Sequence, residues 1–197
     1  MVWNHRGVAS GIRWLLLALM VLVFPLQWIV AVVLAAAFHE CCHYLAVCIF
    51  GGQVRGLRIG LIGAKMDVTG LSQWQALVCI LAGPAGGLML LLLARWIPRT
   101  ALCAAFQSIY NLLPIWPLDG GRALRSGADL LLPVEKADLI CGWMEKICLT
   151  ALILLGIYGA FVLRIGLMPL VFVIGAIIRK NSLQTGPVFV TIRGAKK

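Results

Sequence analysis

Charge is scarce in this chain. Only 12% of its 197 residues are charged, and seven of them are acidic. A soluble domain carries about one quarter charged residues, so a solvated globular surface is excluded. Histidine is scarcer still, at three residues. Repeats and low-complexity runs are lacking, which excludes solenoids and flexible linkers. The first apolar run has no clear small-residue cleavage site and leads straight into another, so no cleavable signal peptide is expected.

What is abundant is apolar sequence. Hydrophobic residues make up 62% of the chain. Several apolar runs approach the roughly 20 residues that a membrane-spanning helix needs. The expected fold is an all-α polytopic membrane protein of about six transmembrane helices. Their expected extents are Gly11 to Phe24, Leu26 to Phe50, Trp74 to Ala94, Ala101 to Leu118, Ile147 to Leu163 and Gly166 to Ile178. The segment "GGQVRGLRIGLIGAKMDVTG" alternates Leu57, Ile59 and Leu61 with Arg58, Gly60 and Ile62, and glycines punctuate it. It reads as a short interfacial β-hairpin after the second span. The segment from Ala128, "ADLLLPVEKADLICGWMEKI", mixes charged and apolar residues. It reads as an interfacial helix interrupted at Pro133. Residues 1–180 form one membrane-embedded domain in this reading. Residues 181–197 form a short tail, too small for a second domain.

The net charge of +10 does not point to nucleic acid, because the basic residues do not gather on one face with interleaved aromatics. They lie between apolar runs. With the N-terminus inside, 14 of the 17 basic residues fall on the cytoplasmic side and 3, Arg95, Arg99 and Arg164, outside. That asymmetry places both termini in the cytoplasm and the end of the second span near the cytoplasmic face.

That span holds "FHECCH". On a helix turning 100° per residue, His43 lies about 40° from His39, one turn along, and Glu40 lies about 100° around. Two imidazoles on one face with a flanking carboxylate make an H-E-x-x-H metal site, two ligands and a general base. An ionisable group inside a bilayer costs a few kcal/mol, so three together point to function, with a hydrogen-bonded polar cluster holding helices together as the alternative. A catalytic zinc takes three protein ligands. Asp119 is the candidate third. It lies in "YNLLPIWPLDGGRALRSG", where Pro114 and Pro117 break the helix and Gly120 and Gly121 permit close backbone approach. A turn aspartate capping a helix that begins near Arg122 is the alternative. Asn111 lies in the same span, where its amide is placed either to contact substrate or to hydrogen-bond between helices. Cys42 falls about 60° from His39 on the side away from Glu40, and Cys41 points away. Both read first as small packing residues, and Cys42 second as a redox handle or competing ligand.

"FHECCH", "AGPAGG" and "NLLPIWPLDGG" occur in the order found in the site-2 protease family of intramembrane zinc metalloproteases, which the region from Val30 to Leu124 resembles. It looks most like the branch that processes a sporulation sigma-factor precursor. The resemblance implies a bacterial cell membrane and one Zn2+ per chain. It implies His39, His43 and Asp119 as its ligands, Glu40 as the base, and Asn111 as a substrate or transition-state contact. It also implies a protein substrate with a membrane-inserted or membrane-associated segment, and inhibitory membrane partners. An inactive, metal-dependent protein that captures membrane clients is the alternative. Three departures stand out: the tail leaves no room for a nucleotide-sensing domain, Gly86 and Gly87 stand where many relatives carry asparagine after Gly-Pro, and Cys41 and Cys42 lie between the two histidines.

Overall fold

The computed structural model describes residues 24–60 and 63–161. Helix α1, Leu26–Ile49, starts directly after Pro25, whose carbonyl accepts from Trp28 N–H at 2.9 Å. It ends where Gly51 adopts a left-handed φ of 71° and Gly52 N–H donates to the Val47 carbonyl at 2.9 Å. That glycine-dependent closure satisfies carbonyls that the last turn leaves open.

Strands β1 (Gln53–Gly60) and β2 (Gly63–Thr69) then pair antiparallel, from Gln53 opposite Thr69 to Gly60 opposite Gly63. The register shifts between Val54 and Gly56, a bulge centred on Arg55. The expected hairpin is therefore present, although Leu61 and Ile62 lie outside the described residues.

Helix α2, Gln73–Met89, opens with a capping box. Ser72 Oγ accepts from Gln75 N–H at 3.4 Å, and Gln75 Oε1 accepts from Ser72 N–H at 2.8 Å. Trp74 meets Phe50 edge-to-face at 5.3 Å, tying the start of α2 to the end of α1. A 3-10 turn, Leu90–Leu93, extends α2. Helix α3 is Pro98–Asn111, α4 is Asp119–Leu131 and α5 is Val134–Phe161. Helix α1 packs on α2 and α3, α2 also packs on α3 and α4, and α4 carries α5.

Among the described residues, three stretches are long and apolar enough to cross a membrane: Leu26–Ile49, Gln73–Leu93 and Val134–Phe161. The first two agree with the second and third expected spans. The expected fourth span, Ala101 to Leu118, is shorter: its helix stops at Asn111 after 14 residues. At 1.5 Å per residue that is about 21 Å, less than a bilayer core. The prolines at 114 and 117 leave Leu112 to Leu118 outside any helix. The expected interfacial segment and fifth span also differ, forming one 28-residue helix after Pro133. The expected first and sixth spans and the tail lie outside the described residues.

Where the helices meet, most of the buried apolar side chains are alanines, with Ile115, Leu118, Val47 and Leu90 among the larger ones. Ala31, Ala35, Ala101, Ala104 and Ala105 are buried, while Val33, Leu34, Leu45 and Leu154 point outward. In lipid, apolar side chains gain little by leaving the surface, and close backbone packing by small residues holds helices together instead.

Candidate metal centre

Helix α1 buries one face, formed by Ala31, Ala35, His39, His43 and Val47. This i, i+4 ladder carries the two imidazoles into the contact with α2. His43 is held there by α2 itself. Its Nδ1–H donates to the Cys79 carbonyl at 2.7 Å, so in the neutral ring the lone pair lies on Nε2, which faces inward. One turn further along α2, Gly83 lies beneath the same ring. A Cβ at Gly83 would overlap His43 Nε2, Cε1 and Cδ2. The small face of α2 thus serves packing and, at Gly83, also makes room for a site histidine. Gly86 meets Cys42, and Gly87 meets Ser108 of α3.

Asp119 arrives from the other side. Helix α4 begins at Asp119 and not near Arg122. Its first turn presses on the chain that follows α3: a Cβ at Gly120 would overlap the Leu112 carbonyl, and one at Gly121 would lie 2.5 Å from the Ile115 carbonyl. No side chain fits against backbone at such range, so the glycine pair sets how deep Asp119 reaches. Asp119 is buried at 8% exposure, although it is a carboxylate. A buried charge at that depth requires partners.

The partners are the imidazoles. Asp119 Oδ2 lies 3.0 Å from His39 Nε2 and 3.3 Å from His43 Nε2, and the two nitrogens are 3.1 Å apart. The edge-to-face rings, with centroids 4.7 Å apart, aim both nitrogens at one point. Asn111 Nδ2 lies 3.3 Å from His39 Nε2. His39 Nε2 therefore faces a carboxylate, a lone pair and an amide N–H, and one proton cannot satisfy all three. His39 Nδ1 is buried with no hydrogen-bond partner.

A cation suits this donor set. Zinc bonds of about 2.0–2.1 Å at tetrahedral angles separate ligand atoms by about 3.3 Å. The three observed separations fall at or just below that value. His39, His43 and Asp119 form a possible metal site, all three buried, and no other group of three or more candidate ligands occurs among the described residues. No thiolate belongs to it. Cys42 is half-buried with its sulfur against Gly86, and Cys41 is exposed. Glu40 is half-buried on α1, next to His39 in the chain.

Sequence reasoning missed Arg122 as a site residue. Its Nη1 lies 3.6 Å from Asp119 Oδ1. The signal was its i, i+3 spacing from Asp119, visible only once the helix is known to begin at Asp119. It also missed the Cys79 carbonyl, since a backbone acceptor leaves no trace in residue type.

No protein-family model matches the chain, and no curated protein matches it by sequence. Among solved structures it is similar to the site-2 protease from Methanocaldococcus jannaschii, with a TM-score of 0.59 and 19% identity. The match covers 93% of this chain and 89% of that one. At that identity the likeness shows a shared fold.

Proposed function

We propose that this chain is an intramembrane zinc endopeptidase that cleaves a membrane-inserted or membrane-associated protein. The observation that carries the reading is the convergence of His39 Nε2, His43 Nε2 and Asp119 Oδ2 on one buried point, with Glu40 beside it. The shared fold with a site-2 protease supports it.

His39, His43 and Asp119 would hold a zinc ion, which would supply Lewis acidity toward a peptide carbonyl and a water molecule. The rest is the work of the chain's own groups. His43 is held in its ligating tautomer by the Cys79 carbonyl. Glu40, one residue after His39, takes the proton from the attacking water and returns it to the leaving amine. The Asn111 amide, 3.3 Å from His39 Nε2 at the edge of the cluster, would hold the substrate. The substrate enters extended, because a helix hides its carbonyls in its own hydrogen bonds. Among the described residues the two-stranded sheet has no further strand on either edge, and pairing with one of them would present such a strand.

The finer reading follows the basic residues. Both termini lie in the cytoplasm and the site opens near the cytoplasmic face of a bacterial cell membrane. A sigma-factor precursor is the substrate to try first, on sequence resemblance alone.

The test is a comparison of new protein N-termini in membranes from cells expressing wild type or Glu40→Gln. Cleavage inside or beside membrane segments, present with wild type and absent with Glu40→Gln, is expected. Identical profiles from two folded, metal-loaded proteins would overturn the peptidase reading and favour the inactive client-binding alternative.

A further inference from the structure

We propose that Arg122 is a positioning residue that holds the outer oxygen of Asp119 and so keeps this carboxylate a one-oxygen ligand. The inference rests on the metal-centre reading above. The two oxygens of Asp119 have separate partners. Oδ2 faces the imidazoles at 3.0 and 3.3 Å, and Oδ1 faces Arg122 Nη1 at 3.6 Å.

The backbone enforces the division. Arg122 N–H donates to the Leu118 carbonyl at 3.0 Å, closing the first turn of α4 and setting Asp119 and Arg122 at i, i+3. Gly120 and Gly121, between them, are pressed against the backbone of Leu112 to Trp116, so the turn cannot slide. The Arg122 side chain is 34% exposed and that of Asp119 11%, so the guanidinium approaches the carboxylate from the more open side. Arg125, one turn on, is committed elsewhere, to Asp129 at 3.1 Å and to Asp138 of α5. Among the described residues, Arg122 is the one Lys or Arg side chain paired with Asp119.

A carboxylate can give a metal one oxygen or both. With its outer oxygen released, Asp119 is free to rotate and chelate, filling the position a hydrolytic site leaves open. Arg122 opposes that rotation with a fixed positive charge.

Cobalt(II) tests this in the full-length, detergent-purified chain, because four-coordinate cobalt absorbs visible light far more strongly than five- or six-coordinate cobalt. Wild type and Arg122→Lys are expected to bind one cobalt each with intense bands. Arg122→Ala and Arg122→Gln are expected to bind one cobalt with several-fold weaker absorption at unchanged helix content. Arg122→Gln keeps an unbranched polar side chain of similar helix propensity, which guards against a folding defect in the alanine variant. Wild-type spectra in both neutral variants would overturn the proposal and leave the metal centre standing. So would loss of cobalt from both while they remain folded, which would make Arg122 a structural support of the site. A folded wild type that takes up no cobalt or zinc would overturn both readings.

Discussion

The imidazole of His43 lies over the bare Cα of Gly83, so close that a methyl group there would occupy the space of the ring. The same ring is bonded to the Cys79 carbonyl one turn earlier on α2. The helix therefore supplies both an anchor and an empty seat for one site residue. Gly83→Ala forces either the ring or the helix to move. Overpacking of this kind costs about 1–3 kcal/mol. If that cost falls on the bound state, zinc affinity drops by about fivefold to a hundredfold or more. Competition with a chromophoric chelator measures it, and unchanged affinity would show that α2 yields without disturbing His43.

Gly86 meets a different side chain. A Cβ there would overlap Cys42 Sγ. Gly86→Ala alone should lower thermal stability, and adding Cys42→Ala should restore part of the loss, since the offending sulfur is gone. A double-mutant cycle on Tm reads the coupling. Additive losses would mean that the two residues do not meet. In the same experiment Cys42→Ala should keep full zinc content, because the donor cluster contains no thiolate.

Much of the site can be read in the sequence because helical spacing is rigid. His39 and His43, four residues apart, had to share a face, and an isolated Asp119 between proline and glycine breaks stood out among seven acidic residues. Element boundaries were harder to read. Gly120 and Gly121 are poor helix formers, which hid the start of α4 at Asp119. The apolar "NLLPIWPL" continued the hydrophobic run of α3 beyond its end at Asn111, although its prolines end the helix. The charged residues of Val134 to Lys146 looked interfacial, yet they form the first half of the same helix as the apolar stretch that follows. The seat at Gly83 and the outer partner of Asp119 are relations across elements, which no local pattern encodes.

At the start of α4 the constraint is backbone against backbone. Gly120→Ala would place a methyl on the Leu112 carbonyl, and no rotamer change relieves that. The prediction is a larger loss than at Gly86, with zinc lost together with stability, because the displaced element carries Asp119. Differential scanning fluorimetry with elemental analysis would check it. A stable variant with full zinc would contradict the role given to this glycine.

The Arg125 clasp to Asp129 and Asp138 should matter little by comparison. Its groups are about one third exposed or more. Solvated ion pairs of this kind contribute at most about 1 kcal/mol. Arg125→Met is expected to leave zinc content unchanged and to shift Tm only slightly. A large loss of zinc would show that α5 steers the site through α4.

The central claim is that His39, His43 and Asp119 hold one metal ion. Elemental analysis of the purified wild type beside His39→Ala and Asp119→Ala tests it most directly. The account predicts about one zinc per wild-type chain, lost or sharply reduced in each variant at unchanged helix content. A folded wild type that contains no zinc and takes none up would contradict it, leaving His39, Glu40 and His43 as a polar packing cluster between helices.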